Sequence, residues 1–186
     1  MKTLNTYINE RLVLSKNKKY TLFPETKEEL KEMIDSEIEK NGNKCSLNHI
    51  DVSKITNMYS LFFNSKFNGD ISNWDVSNVT NTQEMFEQSS FTGDISNWDV
   101  SNVKNMYGMF IESKFNGDIS KWDVSNVEDT GAMFWDSVFN SDISNWDVSN
   151  VKNMNKMFYN SPFNGDISNW DVSNVTDMEF MFDRCP

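Results

Sequence analysis

The sequence predicts a repeat solenoid in which each 24-residue coil supplies a short parallel strand and a helical turn, behind an N-terminal α-helical cap. Two observations carry that prediction. The string FNGDISNWDVSNV occurs at residues 67–79 and again, letter for letter, at 163–175, with close variants beginning at Phe91, Phe115 and Phe139. Trp74, Trp98, Trp122, Trp146 and Trp170 stand 24 residues apart, and one further step back lands on Ile50 in LNHIDVSKITNM, a weaker first copy. Periods of roughly 20–50 residues mark solenoids, propellers or arrays. Twenty-four residues are too few for a four-stranded propeller blade, which leaves stacked coils.

Residues 1–46 read as a helical capping segment. In ETKEELKEMIDSEIEKNGN, Thr26 and Glu29 form a capping box, Leu30, Met33, Ile34 and Ile38 line one side, and Gly42 is the stop. A solenoid needs a polar-backed lid over its first coil, and this helix suits that role.

Residues 47–186 hold six copies, the last incomplete. In the copy that starts at Phe67, the apolar columns are Phe67, Ile71, Trp74, Val76, Val79, Met85 and Phe86, joined by a Met/Thr column at Thr82. Trp74 and Val76 lie two apart, the period of an extended strand with one buried face. Val79, Thr82, Met85 and Phe86 then fall at spacings that suit a short helical or 3₁₀ turn. Gly69, Gly93, Gly117 and Gly165 mark the bend to the next strand, with Ser141 standing in once. The C-terminal end has no matching lid. Loops could mask it, or a homodimer could form tail to tail through the uncapped last coil.

Charge excludes several partners. Residues 1–46 carry nine basic and eight acidic side chains, whereas residues 47–186 carry eight and twenty, so the net charge of −11 sits on the repeats. Such a surface repels phosphate backbones and anionic lipid, which argues against direct nucleic-acid binding. No stretch approaches the roughly 20 apolar residues of a membrane-spanning helix, and MKTLNTYINERL lacks the apolar run of a secretory signal. The expected location is cytoplasmic, or the cell surface if a leader is removed or another export route is used. Cys45 and Cys185 flank the repeats, too far apart for a disulfide, so both thiols are expected to be free.

FNGDISNWDVSNVTN, followed by Met85-Phe86, resembles the repeat of bacterial surface-protein and lipoprotein families of unknown function related to the BspA-like leucine-rich repeats. The resemblance covers about residues 47–186, and FPETKEELKEMIDSEI is similar to the segment that precedes such repeats. It implies a leucine-rich-repeat-like solenoid used for protein or host-surface binding. The general pattern L-x-x-L-x-L-x-x-N-x-L maps onto Ile71, Trp74 and Val76, but its asparagine position falls on Val79, with Asn78 one residue early. Secreted members carry a signal or lipid-attachment cysteine, and neither is seen in this sequence; short signal-less relatives also occur as phage-encoded proteins, and the resemblance to those implies an intracellular role.

A catalytic site needs one arrangement of unlike groups, and none is evident. The single histidine, His49, has Cys45 nearby but no orienting group and no oxyanion loop. There is no phosphate-binding loop and no dinucleotide fingerprint, so no enzyme, no cofactor and no metal site is expected. Two aspartate columns, one through Asp75 and one through Asp70, recur in the repeats. They suit carboxylates accepting backbone N–H bonds at turns, calcium held between coils, or imitation of the phosphate line of DNA.

The positions that differ between copies carry the message. Tyr59, Phe63, Tyr107, Ile111, Trp135 and Tyr159 fall nine or thirteen residues after the tryptophan column. They form either an exposed aromatic binding strip or extra core on the flank of the stack. The expected function is a non-enzymatic interaction module that binds a protein partner through these varied positions. The alternative is an intracellular inhibitory or DNA-mimicking acidic protein.

Overall fold

The computed structural model describes residues 20–186. Capping segment residues 1–19 lie outside the described part. The first described residues bind the first unit: Leu22 bridges Ile50 in parallel, and Asp51 N–H donates to the Leu22 carbonyl at 2.8 Å. Helix α1, Lys27–Asn41, follows. Thr26 caps it by accepting the Glu29 N–H at 3.2 Å, while the Glu29 carboxylate reaches back to the Glu25 N–H at 2.8 Å. Gly42 ends it at φ 81°, a conformation open to glycine, and its N–H returns to the Ile38 carbonyl. Leu30 and Ile34 are fully buried in the same apolar cluster as Leu47 and Ile50, so α1 closes the front of the repeats.

Every later unit lies on the one before it, in register at 24 residues. Asn57, Asn81, Asn105, Asp129, Asn153 and Asp177 form a continuous series of parallel bridges. This moves the expected strand. Trp74 to Val76 makes no bridge; backbone pairing sits seven residues after the tryptophan column and continues into what the spacing suggested was helix. That segment is instead three overlapping β-turns. In the first unit, the N–H groups of Leu61, Phe63 and Ser65 close turns onto the carbonyls of Met58, Ser60 and Phe62. The alternate N–H groups, those of Met58, Ser60, Phe62 and Asn64, donate forward to the carbonyls of Asn81, Gln83, Met85 and Glu87. Each interface of this turn row repeats the pattern, so three of these donors serve the unit itself and four serve the neighbour.

The row is kept straight by left-handed residues at two columns, Ser60 to Phe180 and Asn64 to Arg184, with φ between 49° and 61°. Asparagine tolerates that conformation and longer side chains resist it. Asn64 and Asn160 already use it, whereas Glu112 sits there at φ 51°. Glu112→Asn is therefore expected to raise the unfolding free energy by about 0.5–1 kcal/mol, read from the urea midpoint.

The core is aromatic. Phe62, Phe86, Phe110, Phe134, Phe158 and Phe182 stack in an unbroken column with ring centroids 5.5–5.7 Å apart. Beside it stand Phe67, Phe91, Phe115, Phe139 and Phe163, and beyond them the tryptophans. Each indole N–H donates to a carbonyl one unit earlier, Trp98 to Ile71 at 3.2 Å and Trp122 to Ile95 at 3.1 Å, so the ring is both filler and tie. Thr82 and Thr130, which replace methionine in the alternating column, are buried and give their hydroxyls to the Asn105 and Asn153 carbonyls.

Ring spacing widens across the stack, from 5.5–5.7 Å in the Phe62 column to 6.4–6.5 Å in the tryptophan column. The chemistry of the joints agrees. At the turn row backbones bond directly; on the tryptophan side long side chains bridge them. Asn78, Asn102, Asn126, Asn150 and Asn174 each donate an amide to a serine carbonyl of the previous unit at 2.7–2.8 Å. An asparagine ladder is therefore present, on Asn78 rather than Val79, and it is exposed.

Candidate functional site

The turn row sends its inward side chains into the phenylalanine column and leaves alternate positions outside. Those outer positions hold the six residues singled out by their variation. Tyr59 and Phe63 are exposed, at 38% and 48%. Tyr107, Trp135 and Tyr159 are half-buried. Ile111 is buried: Gly108, four positions into its row, has no side chain, and Ile111 lies across it. Ile111 is thus part of the flank of the stack, while the other five share the outer face of the row.

Cations cover the aromatic faces. Lys27 of α1 lies 5.2 Å from the Tyr59 ring centre, Lys156 lies 5.1 Å from Trp135, and Arg184 lies 5.3 Å from Tyr159. Trp135 and Tyr159 meet edge to face at 5.8 Å. These contacts hold three flat rings in place at an exposed edge, each worth about 0.5–1 kcal/mol. Sequence variation found the rings and missed the cations. Lys156 was visible as the basic member of the column that holds Ser60 and Gly108, but its reach to Trp135 in the preceding unit needs the stacking register. Phe180, 56% exposed in that same column, lies 6.0 Å from the Lys156 ammonium and extends the apolar edge.

Trp135 carries one anomaly. Its indole N–H is buried and, among the described residues, is the one buried side-chain polar atom without a hydrogen bond. Such a group costs about 1–3 kcal/mol. A ring turned outward would recover that energy.

The middle of the row is acidic. Glu84 accepts from Ser60 Oγ and Gln83, and Gln88 donates to Glu112. Burial, then the charges of Glu84 and Glu112, push the Glu87 carboxyl above its usual range. A raised carboxylate pKa means that folding favours the protonated form, so ionised Glu87 costs stability at neutral pH and the cost fades as pH falls through the raised value. Glu87→Gln is expected to raise the thermal midpoint at pH 7 and to leave it unchanged near pH 4.

The aspartate columns behave in the opposite sense. Asp70, Asp75, Asp118, Asp123 and Asp147 each accept the backbone N–H and the hydroxyl of the serine two residues on, at 2.6–3.2 Å. These bonds hold Asp94, Asp118, Asp142, Asp147, Asp166 and Asp171 below the usual aspartate range. A lowered pKa gives stability that is present above the unfolded value, about 3.9, and is lost as pH falls through the folded one. Acid unfolding is therefore expected to steepen below that value, and Ser120→Ala with Ser149→Ala should soften it in a urea series from pH 5 to pH 2. Among the described residues no group of three or more histidine, cysteine or acidic side chains is placed to hold a metal ion.

His49 stands 3.4 Å from the Glu37 carboxylate, and Cys45 points its thiol at the Glu37 carbonyl at 3.9 Å. Burial pushes the Cys45 and Cys185 thiols up, away from nucleophilic character, and both are free. No described helix is long and apolar enough to cross a membrane.

No curated protein and no solved structure matches the chain. A family model does match, over residues 28–138 and 113–186, which together span α1 and all the stacked units. The chain belongs to that family, described as Mycoplasma protein of unknown function, DUF285.

Proposed function

We propose that this chain is a non-enzymatic interaction module: a solenoid, related to the leucine-rich-repeat surface proteins, that binds a protein partner along the turn row. One observation carries the reading. Five of the six residues singled out by their variation between otherwise copied units lie on the outer face of the stack, which presents Tyr59, Phe63, Tyr107, Trp135 and Tyr159 on a rigid, hydrogen-bonded row. Repeat stacks offer extended surfaces for recognition, and aromatic rings are enriched where binding energy concentrates. The unpaired Trp135 N–H supports the same reading, because a bound partner that accepts it removes a standing cost.

The aspartate columns favour a second reading. Two rows of carboxylates, among them Asp118 and Asp171, which serine donors hold ionised, imitate a phosphate line and suit an inhibitor of a nucleic-acid-binding protein. Salt separates the two. Capture from a bacterial lysate on the immobilised chain should survive half-molar salt and disappear for a variant with Tyr59→Ala, Phe63→Ala, Trp135→Ala and Tyr159→Ala. Capture that salt abolishes and the quadruple variant retains would contradict the aromatic reading and favour the acidic one.

A further inference from the structure

Two donors without a polar partner meet at Trp135. One is its own indole N–H, buried and without a hydrogen bond. The other is the Lys156 ammonium, which lies over the same ring at 5.1 Å from its centre. Every other lysine of the stacked units is exposed, whereas Lys156 is half-buried. Lys54 and Lys152 have carboxylate partners in Glu25 and Glu128; among the described residues Lys156 has none. A ring face offsets part of the cost of desolvating an ammonium, and an anion offsets more.

The backbone at both positions is fixed. Lys156 is left-handed at φ 55°, and its main-chain N–H donates to the Glu179 carbonyl at 2.9 Å. The main-chain N–H of Trp135 donates to Ala132, and its carbonyl accepts from Glu112. The response to a ligand therefore falls to the side chains. Tyr159 packs edge to face on Trp135 at 5.8 Å, which sets an aromatic surface beside the two donors.

We infer that, on the turn row read above as the protein-binding surface, Trp135, Lys156 and Tyr159 form a subsite for an aspartate or glutamate of the partner, an assignment that rests on that reading. A carboxylate has two oxygens to offer: one accepts from the ammonium and the other from the indole N–H. The N–H is covered in the free chain, so the indole turns outward as the carboxylate arrives, and an apolar neighbour of the acid lies against Tyr159. The turn row continues on both sides, to Ile111 and to Asp183, so the bound segment runs through and a side chain supplies the carboxylate. The field of the whole chain opposes such a ligand. A net charge of −11 repels acidic peptides, so their selection reports a local site.

The test selects displayed random peptides on the immobilised whole chain. Enriched peptides are expected to share an aspartate or glutamate beside an aromatic or aliphatic residue, and selection on Lys156→Gln should lose that acidic position. The backbone accepts this variant, since Gln88 holds the same conformation at φ 53°. With a synthetic copy of the leading peptide, replacing its acid by the amide and Lys156→Gln should each weaken binding about tenfold or more. The two changes together should cost far less than their product, because they remove one contact. Trp135→Phe keeps a ring, as Phe63 does in the same column, and should weaken the acidic peptide more than its amide form. The indole N–H resonance that Trp135→Phe deletes should move downfield when the acidic peptide is added. Leading peptides with no acidic position would overturn the inference and still leave the strip a binding surface. An acidic position that survives Lys156→Gln, or a Trp135 resonance that stays in place, would overturn it as well. Enrichment of no peptide would also remove this subsite, and the turn-row reading would still be decided by salt-resistant capture and its loss in the quadruple variant.

Discussion

Trp122→Ala is expected to lower the unfolding free energy by about 3–5 kcal/mol. The indole is 3% exposed in the middle of the stack, and no end effect relieves the cavity. Its loss has a second part. The Trp122 N–H is the partner of the Ile95 carbonyl, so alanine leaves an empty space and a buried acceptor together. Trp122→Phe separates the two terms, since it refills part of the space and still lacks the donor. It should fall between the wild type and alanine, with the smaller part of the loss from the hydrogen bond, about 1 kcal/mol. Urea titration followed by far-ultraviolet circular dichroism reads all three chains. Equal midpoints for Trp122→Ala and the wild type would show that the tryptophan column is not structural.

Gly69→Ala is expected to cost about 1–3 kcal/mol, although its column is not uniformly glycine. The reason lies in what a methyl group would meet. At Gly69 it would collide with the Cys45 main-chain carbonyl and the Phe67 ring, whereas at Gly117 it would meet the Phe115 ring alone. A ring can tilt; a carbonyl held between α1 and the first unit cannot shift without moving both. Ser141 shows that the column accepts a side chain where no carbonyl intrudes, and there its hydroxyl donates to the Asn116 carbonyl at 3.0 Å. Gly117→Ser should therefore be close to neutral. Thermal midpoints that fall equally for Gly69→Ala and Gly117→Ser would remove this explanation.

The sequence made the columns legible and the backbone conformation illegible, for a physical reason. Burial depends on which residues recur, and recurrence at 24 residues identified the buried positions Phe67, Ile71, Trp74, Val76, Val79, Met85 and Phe86. The helix α1 was also legible, because Thr26, Glu29 and Gly42 are local capping signals. The strand and helix assignments within each unit were not. Period-two and period-three spacings describe only which side chains point inward, and a row of overlapping β-turns satisfies both. What distinguishes the turns is a left-handed residue at every fourth position, and Glu84, Glu112 and Lys156 give no sign of that preference. The tryptophans are buried along their whole column as well, with stacked rings 6.4–6.5 Å apart. Phenylalanine forms the more closely stacked column, because it lies in the turn row, where successive rings come within 5.7 Å. In the strip, the one residue out of place was Ile111, whose burial depends on the absence of a side chain at Gly108.

The strongest single test concerns the 24-residue register itself. Deleting residues 99–122 joins Trp98 to Asp123, re-creates the NWDV junction, and removes one whole unit. Stacked repeats contribute stability as a sum of unit and interface terms, so this chain should still unfold cooperatively, with a lower midpoint and the same spectrum per residue. Deleting only residues 99–110 breaks the register of every column and should abolish the cooperative transition. If the half-unit deletion folds as well as the whole-unit deletion, or if neither folds, then neighbours stacked one repeat apart are not what holds this molecule together.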